Sequence, residues 1–129
     1  MVEARDGSFA VDGKEVKALM QKDPAALPWR ELGIDIVIES TGLFASDKKS
    51  QPHLNAGARR VVITAPASGD VTTALIGVND DRFINPLPIT CNASCTTNSV
   101  APVMKILLEE LGIKKSSMVT VHGYTASQK

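Results

Sequence analysis

Ile34-Asp35-Ile36-Val37-Ile38 and Arg60-Val61-Val62-Ile63-Thr64 bracket a stretch that opens on Ser46-Asp47 and runs through Leu54-Asn55-Ala56 to Gly57, and this succession decides the fold. The two outer runs are β-branched and almost wholly apolar, the pattern of strands buried on both faces of a parallel sheet. Between them, Ser46-Asp47 offers an N-cap and Gly57 a stop, which predicts a helix whose regularity Pro52 disturbs. Strand, helix and strand within about 30 residues make one βαβ unit, whose crossover is expected to be right-handed.

Upstream, Ser8-Phe9-Ala10-Val11 and Lys14-Glu15-Val16-Lys17-Ala18-Leu19 flank Asp12-Gly13, a dipeptide suited to the positive φ angles of a two-residue hairpin. Asp23-Pro24 and Leu27-Pro28 break any helix between Gln21 and Glu31, and Trp29 is expected to pack this irregular link against the body. Downstream, a short strand is expected around Ala74-Leu75-Ile76-Gly77-Val78, and Ile89-Thr90-Cys91 reads as the last strand of the sheet. After Asn92-Ala93-Ser94 comes an amphipathic helix with Val100, Val103, Met104, Leu107, Leu108 and Leu111 at helical spacing, closed by Gly112. A final strand is expected over Ser117-Met118-Val119-Thr120-Val121-His122.

Composition excludes several classes of partner. Among 129 residues, 14 Lys and Arg balance 14 Asp and Glu, and 4% are aromatic, which gives no electrostatic case for nucleic acid or an anionic membrane surface. The longest apolar runs fall far short of the roughly 20 residues that span a bilayer. The first residues lack a secretory pattern, which points to the cytoplasm, and two cysteines are no disulfide framework. A chain of this length is expected to hold only part of a two-domain enzyme, since doubly wound domains alone commonly approach ~150 residues.

The chemistry concentrates at Cys95. By residue type alone a lone cysteine is usually a small buried apolar group; its position singles this one out. Cys95 stands at a strand-to-helix junction, where unsatisfied N–H groups and the helix dipole favour a thiolate. A helix over 96–111 rises roughly 24 Å, and a strand over 116–122 returns roughly 23 Å, which brings His122 level with Cys95. Pro102 would be most comfortable at a first helical position; the pattern favours an early start with a kink there. Cys91, Cys95, His53 and His122 match no usual zinc spacing, so no metal is expected. Glu39-Ser40-Thr41-Gly42 closes a parallel strand where doubly wound sheets bind ligands, yet neither G-x-G-x-x-G nor G-x-x-x-x-G-K-[ST] occurs.

Ala93-Ser94-Cys95-Thr96-Thr97-Asn98 resembles the active-site motif of phosphorylating glyceraldehyde-3-phosphate dehydrogenases. The likeness extends through residues 29–42 and 57–67, Gly77-Val78-Asn79 and Thr120-Val121-His122-Gly123-Tyr124-Thr125. The resemblance implies an α/β fold: a partial Rossmann-like doubly wound sheet over 1–94, then the first helix and strand of an α+β catalytic domain over 95–129. It implies a glycolytic oxidoreductase in which Cys95 attacks the aldehyde of glyceraldehyde 3-phosphate, hydride passes to NAD or NADP, and inorganic phosphate releases the acyl group from a thioester. His122 matches the acid/base histidine, Ser94 and Thr96 match residues that bind the attacking phosphate, and Thr125 matches one for the substrate phosphate. Thr41, Gly42, Phe44 and Thr64 fall where the family lines the cofactor groove. A homotetramer is implied for the full-length protein.

Ser127 and Gly123 depart from commoner family residues, a matter of fine specificity. The glycine-rich turn, the arginine that binds both phosphates and the asparagine that orients the nicotinamide amide are absent from this chain, so the chain alone is expected to be inactive. Two alternatives stay open: the related oxidation of erythrose 4-phosphate, and a non-catalytic piece that associates with itself or a complementary chain.

Overall fold

The structure, a computed structural model, describes residues 1–124. Two sheets organise it. Strands β1 (Val2–Arg5), β2 (Ser8–Val11) and β3 (Lys14–Lys17) form an antiparallel meander. Asp12 and Gly13 take φ of 48° and 79° in the expected hairpin turn, and Val11 pairs with Lys14. β1 lies outside the expected hairpin; Asp6-Gly7 repeats the same turn signal between β1 and β2, and Gly7 also has positive φ, 68°.

The second sheet is parallel, in the order β4 (Ile36–Glu39), β5 (Arg60–Ile63), β7 (Ile89–Cys91), β6 (Thr72–Thr73). Helix α1 (Asp47–Asn55) crosses from β4 to β5, capped by Ser46, whose side chain accepts the Lys49 N–H. Register aligns the core in rows. Val37 lies beside Val61 and Val61 beside Ile89, while Glu39, Ile63 and Cys91 form the next row. These side chains face α1 and are buried with Ala58, flanked by Trp29, Ile34 and Leu54.

Four expectations are corrected. β4 is not buried on both faces: Ile36 and Ile38 are 56% and 66% exposed, because α1 covers one face and no described element seals the other over this strand. The short strand expected at 74–78 is instead Thr72–Thr73. Beyond it Asn79 Oδ1 accepts the Leu75 N–H at 2.7 Å, Asn79 Nδ2 donates to Thr73 O, and Gly77 N–H donates to Asp80, so side chains close a turn in place of a ladder. The helix α2 (Cys95–Glu110) forms and runs through Pro102, but none of its residues is buried; Val103, Leu107, Leu108 and Leu111 are exposed. Residues 115–124 return along the chain without forming a strand, for no described strand lies alongside to supply a ladder.

Truncation of the two faces of the sheet should separate them. Ile63→Ala, in the sealed row, is expected to cost about 2–5 kcal/mol. Ile38→Ala should change stability by less than about 0.5 kcal/mol. Urea unfolding of the two variants checks both.

Candidate functional site

β7 delivers the chain to α2 through a three-residue elbow. Ala93 takes φ of 63°, a left-handed conformation that a non-glycine residue adopts only when its surroundings fix it. Ser94 caps α2: its Oγ accepts the Thr97 N–H at 3.0 Å and lies 2.8 Å from Thr97 Oγ1. Asn98 reaches back over the turn, its Nδ2 donating to the carbonyl of Asn92 and, at 2.9 Å, to that of Ser94. The elbow is therefore tied at both sides of Ala93.

Cys95 is the first residue of α2 and is exposed. Its Sγ lies 3.3 Å from His122 Nε2. The other ring nitrogen, Nδ1, is 2.8 Å from the carbonyl of Gly123, to which it donates, so Nε2 turns its lone pair, or its proton once charged, toward the sulfur. The hydrogen bond from His122 holds the Cys95 thiol below the usual thiol range, helped by the backbone and side chain of Thr96 and by the imidazolium charge. Reciprocally, the Gly123 carbonyl and then the Cys95 sulfur hold His122 above the usual imidazole range. Thiol and imidazole each favour the other's charged form, which is the arrangement of an activated nucleophile. They open on a cleft of about 290 Å³ lined also by Thr96, Ser99, Val100 and Val119.

Thr41, Gly42, Phe44 and Thr64 stand apart from this cleft, at the carboxyl ends of β4 and β5. Thr64 N–H and Oγ1–H both donate to the Glu39 carbonyl, at 3.0 and 3.3 Å, and Gly42 has φ of 77°. The Thr41 and Thr64 hydroxyls are both engaged in hydrogen bonds within the protein. Among these four residues there is no cation and no glycine-rich turn of the kind that holds a dinucleotide's pyrophosphate. Thr125 and Ser127 lie outside the described residues. Several positions that support these residues were not singled out for a role from sequence: Asn98, and a buried group of Glu39, Ser50 and His53. Ser50 and His53 share one turn of α1, three residues apart, and that spacing was the available signal.

A parallel sheet with open loops at its strand ends thus leads, through a tight elbow, to a thiol–imidazole couple at a helix start. Residues 1–47 match the family model described as glyceraldehyde 3-phosphate dehydrogenase, NAD binding domain, and residues 94–129 match that described as glyceraldehyde 3-phosphate dehydrogenase, C-terminal domain. The chain is 49% identical over 128 residues to a glyceraldehyde-3-phosphate dehydrogenase of Thermotoga maritima, covering 99% of this chain and 38% of that protein. It is 48% identical over 124 residues to the chloroplastic glyceraldehyde-3-phosphate dehydrogenase A of Zea mays, covering 96% and 31%. With that of Debaryomyces hansenii it shares 44% over 128 residues, covering 99% and 38%. The chain belongs to the glyceraldehyde-3-phosphate dehydrogenase family, and it spans less than two fifths of the length of these curated relatives.

Alkylation by iodoacetamide reads the thiol–imidazole couple directly. The rate at Cys95 should follow a titration whose midpoint lies below the usual thiol range. In His122→Gln that midpoint should move up and the rate at neutral pH should fall, because the group that stabilises the thiolate is gone. Rates measured against pH by mass spectrometry check this.

Proposed function

We propose that Cys95 and His122 are the nucleophile and acid/base pair of a phosphorylating glyceraldehyde-3-phosphate dehydrogenase. Residues 1–94 would be the later part of its NAD-binding domain and 95–129 the beginning of its catalytic domain. The observation that carries the reading is the 3.3 Å approach of Cys95 Sγ to a His122 Nε2 whose partner nitrogen is locked on Gly123 O. Unbroken parallel pairing from β4 to β7, ending at Cys91, supports the domain boundary.

The thiolate of Cys95 attacks the aldehyde carbon; the new C–S bond pushes the carbonyl electrons onto oxygen, and His122 supplies the proton that makes the thiohemiacetal hydroxyl. His122 Nε2 then takes that proton back as the carbonyl re-forms and C1 loses hydride, leaving a thioester on Cys95. The nicotinamide, when bound, supplies the hydride acceptor; NAD and NADP share that ring, and either satisfies the reading. Thr41, Gly42, Phe44 and Thr64 would hold its nicotinamide or adenosine side. Inorganic phosphate attacks the thioester carbon, the C–S bond breaks, and the thiolate is restored. Ser94 and Thr96 hydroxyls, with the N–H groups at the start of α2, would receive the phosphate, and Thr125 the phosphate of the substrate. The whole protein is proposed to act in cytoplasmic glycolysis as a homotetramer.

Reaction of Cys95 with the aldehyde should be visible in this chain without turnover. Glyceraldehyde 3-phosphate is expected to protect Cys95, but not Cys91, from iodoacetamide, and protection should weaken in His122→Gln; equal alkylation with and without the aldehyde would contradict the reading. The same chain should form no steady NADH with substrate, NAD and phosphate. Phosphate-dependent NADH formation lost in Cys95→Ser would overturn the expectation that the chain alone is inactive.

A further inference from the structure

Beneath the loop that follows β4, four residues that the reaction does not consume form one continuous hydrogen-bonded chain. The indole Nε1–H of Trp29 donates to His53 Nδ1 at 3.1 Å. An indole nitrogen only donates, so the His53 proton resides on Nε2, which donates to Glu39 Oε2 at 3.3 Å. The other carboxylate oxygen of Glu39 accepts the Thr41 N–H at 2.8 Å and also the Thr41 hydroxyl proton. That hydroxyl in turn accepts the Leu43 N–H at 3.1 Å. Each donor assignment forces the next, and among the described residues no buried side-chain nitrogen or oxygen is left without a partner.

A second grip comes from the same side of α1. Ser50, fully buried, donates its hydroxyl to the Phe44 carbonyl at 2.7 Å, and the Phe44 ring meets His53 edge-on at 6.1 Å between centroids. Residues 41–44 are therefore held at the start through Glu39 and at the end through Ser50. Glu39 and His53 are 3% and 4% exposed. Burying such groups costs free energy that an apolar pair of similar volume would not, unless their hydrogen bonds are complete; here their hydrogen bonds fix the loop.

We propose that Trp29, His53, Glu39 and Ser50 are positioning residues that hold the Thr41–Phe44 loop preformed for the nicotinamide cofactor. The proposal rests on the cofactor reading of Thr41, Gly42 and Phe44. A loop already in its bound conformation avoids the entropy of ordering it when the ligand arrives. Glu39 is the hinge of the device because a carboxylate accepts through two atoms, one toward α1 and one toward the loop. A glutamine at that position accepts through one atom and cannot serve both.

The test is amide hydrogen exchange by NMR, with and without NAD, in the wild-type chain, in Glu39→Gln, and in Thr41→Val, which leaves the buried Glu39–His53 contact in place. In Glu39→Gln, exchange at the Thr41 and Leu43 amides should quicken about tenfold or more while amides of β5 stay unchanged. The emission of Trp29, the sole tryptophan, should shift although residue 39 is not its hydrogen-bond partner. In Thr41→Val, Leu43 should exchange faster and Trp29 emission should hold. NAD should perturb resonances of residues 41–44 in wild type, at concentrations about tenfold lower than in Glu39→Gln. Unchanged exchange in both variants overturns the proposal. Faster exchange with undiminished NAD response overturns the positioning role and leaves the cofactor reading standing. Absence of any NAD response in wild type, with exchange altered as described, keeps the grip on the loop and overturns the cofactor reading alone.

Discussion

The seating of α1 on one face of β4, β5 and β7 is the constraint from which the other placements follow. The parallel register puts Val37, Val61 and Ile89 in one sealed row and Glu39, Ile63 and Cys91 in the next. Once those rows are closed, each strand leaves the sheet at a fixed height. The loop after β4 emerges above Glu39, Thr64 follows β5, and the elbow to α2 begins one residue past Cys91. Burial of Cys91, with its sulfur 3.3 Å from Thr73 Oγ1, anchors the segment that presents Cys95 four residues later.

Local chemistry then converts that height into reactivity. The left-handed Ala93 costs about 1 kcal/mol or slightly more, and the two hydrogen bonds from Asn98 with the Ser94 cap offset it. The turn is tight enough to leave Cys95 as the first residue of α2, where helix N–H groups lack partners and favour negative charge. Residues 115–124 bring back the imidazole. Different groups thus gather at the carboxyl ends of the strands: hydroxyls and a hydrogen-bonded loop after β4 and β5, and an ionisable couple past β7.

Much of this was legible from residues. The β-branched runs, the Ser46 and Ser94 caps and the Asp12-Gly13 turn are local signals, and local signals suffice where the stabilising partner is a few residues away. The meeting of Cys95 and His122 also followed from helix rise set against chain return. It survives although the return is not a strand, because the span needs only length, whereas a strand needs a neighbour to complete its ladder. What sequence did not disclose depends on distant partners. Ile38 reads as core until one asks which element covers it, and Glu39 reads as a strand-end charge until His53 is found beneath it. The short strand expected at 74–78 failed for a local reason that periodicity does not weigh: Asn79 and Asp80 supply side-chain acceptors that compete with the ladder. The roles proposed for Ser94 and Thr96 come from the family resemblance, because geometry alone leaves them as hydroxyls near a helix start.

The central claim is that the Cys95–His122 couple exists as thiolate and imidazolium in a pH range where an ordinary thiol is still protonated. Ultraviolet thiolate absorbance, followed against pH in the wild-type chain with Cys95→Ser and His122→Gln alongside, measures it without substrate or cofactor. The expected result is thiolate signal appearing below the usual thiol range, absent in Cys95→Ser and displaced to higher pH in His122→Gln. A signal confined to the ordinary thiol range, and indifferent to His122, would contradict the account.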